Sequence, residues 1–194
     1  MTSVVKICNL ALLQVGENTI VSTDEKSKAA RICKEIYAPG RDTVLESFPW
    51  SFAMRRGTLA LLAGTAPIPW AYAYQKPADC LHAEEIIQKT PQGKPILFEV
   101  GEDQILTDQT EAVLLYVRQV DDPAQFSATF VEALSWYLAS KLAAPLTGDV
   151  AKTKQCLLIY QTVVQRAQTI QANQGRSPDL SRPLPPWIDA RDRD

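Results

Sequence analysis

Histidine is almost absent from this chain of 194 residues, which contains only His82. A structural zinc site usually needs four cysteine or histidine ligands, often with a C-x-x-C pair, and no such pair occurs here. The sequence therefore predicts no metal site. We expect the thiols to be reduced and buried as small apolar groups. They belong to Cys8, Cys33, Cys80 and Cys156.

An excess of charge of one sign is also missing, and so is any long apolar run. The 20 basic and 22 acidic residues give a net charge of −2, so no overall field attracts the chain to nucleic acid or to an anionic membrane. No apolar segment is long enough to span a bilayer. Because polar Asn9 and Gln14 interrupt the first segment, it does not resemble a signal peptide, and we expect synthesis in the cytoplasm.

Recognisable catalytic motifs are missing as well. The sequence has no Walker loop and no G-x-G-x-x-G motif, so nucleotide binding has no support, and we expect no cofactor. A Ser-His-Asp or Cys-His site would have to use His82, with Cys80 and Asp79 as its sequence neighbours. Neighbours on a turn need not converge, and no glycine pattern for an oxyanion hole accompanies them. We therefore assign no catalytic residue.

A pair of carboxylates is the remaining route to an enzyme. Glycoside hydrolysis needs one acid kept protonated and a second carboxylate across the scissile bond. Most acidic residues in proteins are exposed, so the favoured interpretation is a solvated sheet face, and a hydrolase is the alternative. The candidate acids are Glu84, Glu85, Glu99 and Glu102.

Two adjacent arginines, Arg55 and Arg56, follow the aromatic residues Trp50 and Phe52. Such a group could bind a phosphate and stack a nucleic-acid base. No wider basic patch supports that hypothesis. We favour the interpretation that the arginines are charged residues at a strand edge, or at a contact between subunits.

The first 50 residues show the periodicity of apolar residues that is typical of helices. Ser3 is placed to cap a helix from Val4 to Val15, and Gly16 is suited to end it. The connector that follows contains Ile20 and Val21, which we expect to form a short, buried, extended piece.

A second amphipathic helix is predicted next, because apolar residues recur at i, i+3, i+4, i+7 and i+8 from Ala29 onwards. A residue between Ser22 and Asp24 is expected to cap it. We expect the Pro39-Gly40 pair to kink or interrupt it. The periodicity returns at Val44 in a second helical piece, which Pro49 should end.

From residue 51 to residue 120 the pattern is that of strands, and its expected product is a small antiparallel sheet. Gly101 to Asp103 are typical of a hairpin turn. Pro77 to Asp79 form another predicted turn, which could open a short helical turn through Cys80 and Leu81. The predicted strands are Ser51–Leu62, Trp70–Tyr74, Glu84–Lys89, Ile96–Val100, Gln104–Thr107 and Ala112–Val120.

Two long helices are predicted after the strands. Asp121-Asp122-Pro123 is a helix-start signal for a helix from Ala124 to Ala144, which Pro145 and Gly148 should end. Asp149 should cap a last helix from Val150 to Gln174, and the short connection predicts an antiparallel hairpin. The predicted apolar face of the last helix consists of Cys156, Leu157, Ile159, Tyr160, Val163, Val164, Ala167 and Ile170.

The predicted fold class is α+β, a bundle of about four helices with a small antiparallel β-sheet inserted between the second and third helices. Residues 1–50 supply the N-terminal helices, residues 51–120 the β domain and residues 121–174 the C-terminal helical hairpin. Residues 175–194 are predicted to be a separate, proline-rich docking tail.

The predicted tail has four prolines, several charges and a single aromatic residue. It cannot form a core of its own, so we expect an extended conformation near polyproline II. Tryptophan and arginine are typical interface anchors. A tail folded back on its own helices, or a disordered one, is the alternative to docking on a partner. The predicted partner-binding residues are Arg182, Trp187, Arg191 and Arg193.

The first third of the chain resembles a known family. A helix ending in Leu-Leu-Gln-Val-Gly-Glu (Leu12–Glu17) is followed by extended Ile20-Val21-Ser22, by a helix containing Ala-Ala-Arg-Ile, and by Trp50-Ser51-Phe52 at the start of a strand. This order is similar to that of the tail tubular protein A family of short-tailed phages, whose members are head-to-tail adaptors under the portal ring. The later order of strands and two helices agrees as architecture.

The resemblance implies a structural virion protein at the head-tail interface, made in the host cytoplasm. The implied partners are a portal protein, a tail nozzle similar to tail tubular protein B, and other copies of the chain in a ring of twelve subunits. DNA would pass through the channel of the ring without sequence-specific binding, and no membrane contact is expected. The alternatives are a tail-associated cell-wall hydrolase using a carboxylate pair and a free-standing cytoplasmic binding protein.

Overall fold

The fold combines a helical bundle with two small antiparallel sheets, as an α+β protein. The computed structural model describes residues 2–87 and 95–174, with side chains as far as Gln171. In these ranges all strands lie between the second and third helices in sequence, as predicted. The elements are α1 (Val4–Val15), α2 (Lys28–Glu46), β1 (Met54–Thr58), β2 (Tyr72–Gln75), β3 (Cys80–Ile86), β4 (Phe98–Val100), β5 (Gln104–Thr107), β6 (Val113–Arg118), a 3-10 turn (Pro123–Gln125), α3 (Ala128–Thr147) and α4 (Val150–Gln174).

The first and last helices begin where their capping residues predict. Ser3 Oγ accepts a hydrogen bond from the backbone N–H of Lys6 at 3.2 Å, and α1 ends at Gly16, whose φ of 81° lies in the left-handed region that glycine tolerates. The Asp149 carboxylate accepts from the backbone N–H of Ala151 at 2.8 Å. Local side-chain chemistry therefore fixes these helix ends.

The predicted cap of α2, between Ser22 and Asp24, is wrong. Ser27 is the capping residue, and its Oγ accepts from the backbone N–H of Ala30 at 3.1 Å. The segment before it is held as a turn, because the Glu25 carboxylate accepts from the backbone N–H of Val21 at 2.9 Å. The polar side chains of Ser22 and Glu25 bond within this turn, and the helix starts after it.

The predicted interruption of α2 at Pro39 is wrong, since α2 continues through it as one helix. Pro39 lies on the exposed side, so the backbone hydrogen bond that it cannot make is lost at the outer surface of the helix. Gly40 lies on the buried side, where a Cβ would come within 2.8 Å of Leu138 Cδ2. The glycine therefore serves close packing of α2 on α3. Pro145 is likewise exposed and lies inside α3, which runs past the predicted end at Ala144.

The start of α3 differs from the prediction for a local reason. The Asp122-Pro123 signal forms a short 3-10 turn, in which the Asp122 carboxylate accepts from the backbone N–H of Ala124 at 2.9 Å. The chain then becomes extended at Phe126, and Ser127 caps α3. The predicted start at Ala124 therefore belongs to a separate turn.

The strands form two sheets, which corrects the prediction of one. Sheet A has the order β1-β6-β3 and sheet B the order β2-β5-β4, with every pair antiparallel. Both edges of β6 are occupied by β1 and β3, so the β4–β5 hairpin cannot join it and pairs with β2 instead. The predicted hairpin turn is confirmed by the hydrogen bond from Gly101 N–H to the Gln104 carbonyl at 2.8 Å.

Several strand boundaries also differ. The predicted strand Ser51–Leu62 is confined to β1, because Trp50 to Ala53 form a turn in which the Ala53 N–H donates to the Trp50 carbonyl at 2.8 Å. Cys80 and Leu81, predicted as a helical turn, open β3 through pairing with β6. The predicted strand Glu84–Lys89 overlaps the end of β3, and its last residues lie outside the described ranges.

Two hydrophobic cores divide the molecule into layers. The larger core joins the four helices and reaches sheet A through Val117 of β6, together with Ala53 before β1 and Val120 after β6. The smaller core lies between the two sheets and includes Leu114 and Tyr116 of β6. Alternate residues of β6 thus face different cores, which places sheet A between the helices and sheet B.

The connector between α1 and α2 is held down by one side chain, which leads to a testable prediction. Asn9 Nδ2 donates to the Ile20 carbonyl at 2.9 Å, and the Ile20 N–H donates to Asn9 Oδ1 at 2.8 Å. Asn9→Ala should lower the free energy of unfolding by about 2 kcal/mol, because two backbone groups lose their partners. Asn9→Asp keeps the acceptor and should cost about half as much.

Urea denaturation followed by circular dichroism would measure both variants. Leu13→Ala, at an exposed position of the same helix, is the control and should change stability by less than about 0.5 kcal/mol. An Asn9→Ala variant no less stable than this control would show that the paired hydrogen bonds do not hold the connector.

Candidate interaction surfaces

The residues considered for nucleophilic catalysis lie in different environments at the start of β3. Asp79 accepts from Tyr116 Oη at 3.0 Å and from Arg55 Nη1 at 3.2 Å. Cys80 is buried, and burial raises the pKa of its thiol above the usual value, which is the opposite of thiolate activation. His82 lies exposed on β3. The structure gives the Asp79 carboxylate a structural role beside Arg55 and Tyr116.

The four candidate acids lie in different parts of the two sheets. Glu84 and Glu85 are adjacent on β3 of sheet A, whereas Glu99 is on β4 of sheet B and Glu102 follows in the hairpin turn. Glu99 Oε2 accepts from the Trp70 indole N–H at 2.9 Å. The residues suggested for a carboxylate pair are therefore divided between two sheets.

The arginine and aromatic residues considered for base stacking point to different environments. Trp50 is buried in the helical core, and Phe52 packs edge-on against Phe130 at a ring-centroid distance of 5.1 Å. Arg55 and Arg56 are exposed on β1, at an edge of sheet A. The aromatic rings are thus core residues, in agreement with the favoured interpretation of charged residues at a strand edge.

The four cysteines are free and buried, as predicted. A hydrogen bond with the Cys33 thiol, together with burial, raises the pKa of Cys8 well above its usual range. Within the described ranges no three histidine, cysteine, aspartate or glutamate residues lie close enough to hold a metal ion. None of the helices described in the structure is both long and apolar enough to cross a membrane.

Exposed apolar side chains occur on α1 and α4, which both pack on α3, and we call this set of residues the helical surface. On α4, Val150, Leu157 and Leu158 are spaced i, i+7 and i+8 and therefore share one face, and Leu158 is 63% exposed. The prediction that Leu157 is a core residue is wrong, because α4 packs mainly on α3 and buries only a narrow stripe. The helical surface consists of Leu10, Leu13, Val150, Leu157 and Leu158.

A second group of exposed apolar side chains lies on sheet B and its adjoining loops, and we call it the sheet surface. Ile68, in the loop before β2, is 97% exposed. Leu97 directly precedes β4 and Val100 ends it. These residues flank sheet B on both sides, with Leu61 beside β2 and Leu97 beside β4. Exposed apolar side chains can provide sites of protein–protein contact. The sheet surface consists of Leu61, Ile68, Leu97 and Val100.

A groove of about 200 Å³ lies beside the C-terminal end of α4. Its floor is apolar, with Phe48, Trp50 and Ala167 buried. Ile170 is 41% exposed at its rim, which corrects its prediction as a core residue of α4. The polar residues that line the groove are Ser51, Ser127, Thr129 and Gln171.

The predicted docking residues Arg182, Trp187, Arg191 and Arg193 lie outside the described residues. The three surfaces above contain residues that the sequence does not single out as functional. Leu158, an apolar residue outside the predicted stripe of α4, was a local signal for the helical surface. The groove has no local signal, because it is assembled from three segments distant in sequence.

A scan of the chain against protein-family models finds no matching family, and a search of curated proteins finds no matching protein. The resemblance to the tail adaptors therefore depends on the residues between Leu12 and Phe52 and on the order of elements. Any function drawn from it is a proposal.

Proposed function

We propose that this chain is a structural virion protein, a head-to-tail adaptor of the tail tubular protein A type. It would form a ring of twelve subunits between the portal and the tail nozzle, around the channel through which DNA leaves. The observation that carries the proposal is the presence of exposed apolar surfaces on two different layers, the helices and sheet B.

The order of elements supports the same assignment. The segment with the family resemblance comprises α1, the connector held by Asn9, α2 and the aromatic turn at Trp50. This turn leads directly into β1, and the strands end where α3 and α4 complete the bundle. The resemblance thus coincides with one continuous part of the helical core.

The proposed mechanism is ordered docking. The helical surface would contact the portal and the next copy in the ring, while the sheet surface would meet the nozzle. Contacts between successive subunits of a ring are heterologous, and the ring closes only if the rotation fits. A portal ring that sets this rotation would act as the template. DNA would pass through the channel without sequence-specific contacts, in a protein located at the head-tail interface of the virion.

Sedimentation and negative-stain microscopy of the chain, alone and with the portal protein from the same genome, would test the proposal. We expect rings in the mixture only. Leu157→Asp combined with Leu158→Asp should abolish ring formation, because charge on an apolar contact must be desolvated. Gln155→Asp, also exposed on α4 but about 160° around the helix from Leu157, is the matched control and should leave ring formation intact.

The sheet surface calls for a separate measurement. Ile68→Asp combined with Leu97→Asp should leave the portal-bound ring intact and reduce its binding of the nozzle protein. A chain that stays monomeric with the portal would contradict the adaptor proposal. Clearing of cell-wall substrate that disappears in Glu84→Gln or Glu99→Gln would favour the hydrolase instead.

A further inference from the structure

The groove beside α4 lies next to the point where the described chain ends. Ile170 and Gln171 form part of its wall, and α4 ends at Gln174, less than one helical turn beyond. The opposite wall comes from the aromatic turn after α2 and from the first residues of α3. The described chain therefore ends within one helical turn of a groove that has an apolar floor and a polar rim.

The size of the groove indicates what it can hold. A volume of about 200 Å³ is below the range of roughly 300–1,000 Å³ that is usual for small-molecule and cofactor sites. Its floor is nevertheless apolar and aromatic, formed by Phe48, Trp50 and Ala167. A groove of this size and lining fits a single large side chain as an anchor.

We propose that the groove is occupied by Trp187 of the same chain. Trp187 is the single aromatic residue of the segment 175–194. The 13 residues from Gln174 to Trp187 reach about 40 Å even at the polyproline II rise of about 3.1 Å per residue. This length is ample for the segment to turn back to a groove that begins at Gln171.

The polar rim of the groove suits an indole. A buried tryptophan usually needs an acceptor for its N–H. The rim offers the hydroxyl groups of Ser51 and Thr129, and also Gln171, whose Nε2 is already used as a donor to the Pro49 carbonyl at 2.9 Å. The side-chain oxygen of Gln171 is thereby held at the groove with its acceptor capacity available.

Trp187 of the same chain is favoured as the occupant over Trp187 of a second copy, because its effective concentration at the groove is higher. A segment joined by a short flexible linker has an effective concentration of about millimolar at its own site, well above a working protein concentration of micromolar order. In the free subunit, the groove would be covered by Trp187 of the same chain. On the adaptor proposal above, which this consequence depends on, a partner could displace Trp187 during assembly.

Fluorescence anisotropy with a labelled peptide of residues 180–194 tests the proposal on the full-length chain. The wild-type groove should be occupied and should bind the peptide weakly. Trp187→Ala empties the groove without altering the described fold, so this variant should bind the peptide at least about tenfold more tightly. A peptide carrying the Trp187→Ala change should not bind either protein.

Two further variants locate the binding. Ile170→Asp in the Trp187→Ala chain should abolish peptide binding, whereas Leu158→Asp, exposed elsewhere on the same helix, should not affect it. Equal binding to wild type and Trp187→Ala, or no binding to either, would overturn the proposal. A wild-type dimer that Trp187→Ala dissociates in sedimentation would identify a second copy as the occupant and would overturn it as well. Because none of these measurements involves a portal protein, failure here leaves the adaptor proposal to be tested separately.

Discussion

Replacing Trp50 with alanine is expected to lower the free energy of unfolding by about 3–5 kcal/mol. Trp50 is 3% exposed, and its ring meets Phe48 and Phe130 edge-on at centroid distances of 5.0 Å and 5.1 Å. Its indole N–H donates to the Val44 carbonyl at 2.8 Å. The variant would leave a large cavity and remove one of the two side-chain donors to this carbonyl, the other being Ser47 Oγ at 2.9 Å.

Urea denaturation followed by circular dichroism would measure the loss, since circular dichroism does not depend on the tryptophan that is removed. Trp50→Phe should cost less, about 1–3 kcal/mol, because it keeps most of the ring and loses the hydrogen bond. Trp70→Ala is the matched control. Trp70 is only partly buried, and its indole is bonded to exposed Glu99, so its loss should cost about 1 kcal/mol. Equal losses of unfolding free energy in Trp50→Ala and Trp70→Ala would contradict the prediction that Trp50 is a major stabilising residue of the core.

The features that the sequence predicts best depend on local chemistry. The Ser3 and Asp149 caps, the Gly16 helix end and the Gly101–Asp103 hairpin turn involve residues only a few positions apart. The α+β class and the position of the strands between α2 and α3 follow from periodicity, which extends over whole elements.

The wrong predictions concern features that depend on contacts between residues distant in the sequence. Pro39 and Pro145 predict helix breaks from local rules, yet both helices continue because their buried faces are held by packing. The division into two sheets follows from β6 being paired on both edges. Leu157 and Ile170 fit the apolar stripe of α4, but the neighbouring helices cover only part of that stripe.

The candidate surfaces are harder to predict from the sequence than the fold is. The groove unites residues near positions 50, 128 and 170, and no periodicity links them. Phe48, Trp50 and Phe52 are close together in the sequence, but the sequence does not identify α3 and α4 as the helices that they contact.

A buried arginine connects α2 to the segment that leads from the sheets to α3. The Arg41 side chain is 7% exposed, and it bonds Asp42 at 2.8 Å and Asp121 at 2.6 Å. The second oxygen of Asp42 accepts from Gln119 Nε2 at 2.9 Å. Burial acts to lower the pKa of Arg41, but the hydrogen bond with Asp42 and the charges of both carboxylates raise it overall. The guanidinium therefore stays charged and depends on its partners.

The two carboxylates should contribute unequally to the free energy of unfolding. The Arg41–Asp42 pair should contribute more, although it is the longer of the two. Asp42 is 28% exposed and Asp121 is 78% exposed. Asp42→Ala leaves the buried guanidinium without its sheltered partner and should cost about 2–4 kcal/mol. Asp121→Ala should cost about 1 kcal/mol or less, because water can replace an exposed carboxylate. Urea denaturation at low and high salt would separate them, since salt screens the exposed pair more than the buried one. A loss at Asp121 equal to or larger than the loss at Asp42 would contradict the prediction that burial sets the strength of these ion pairs.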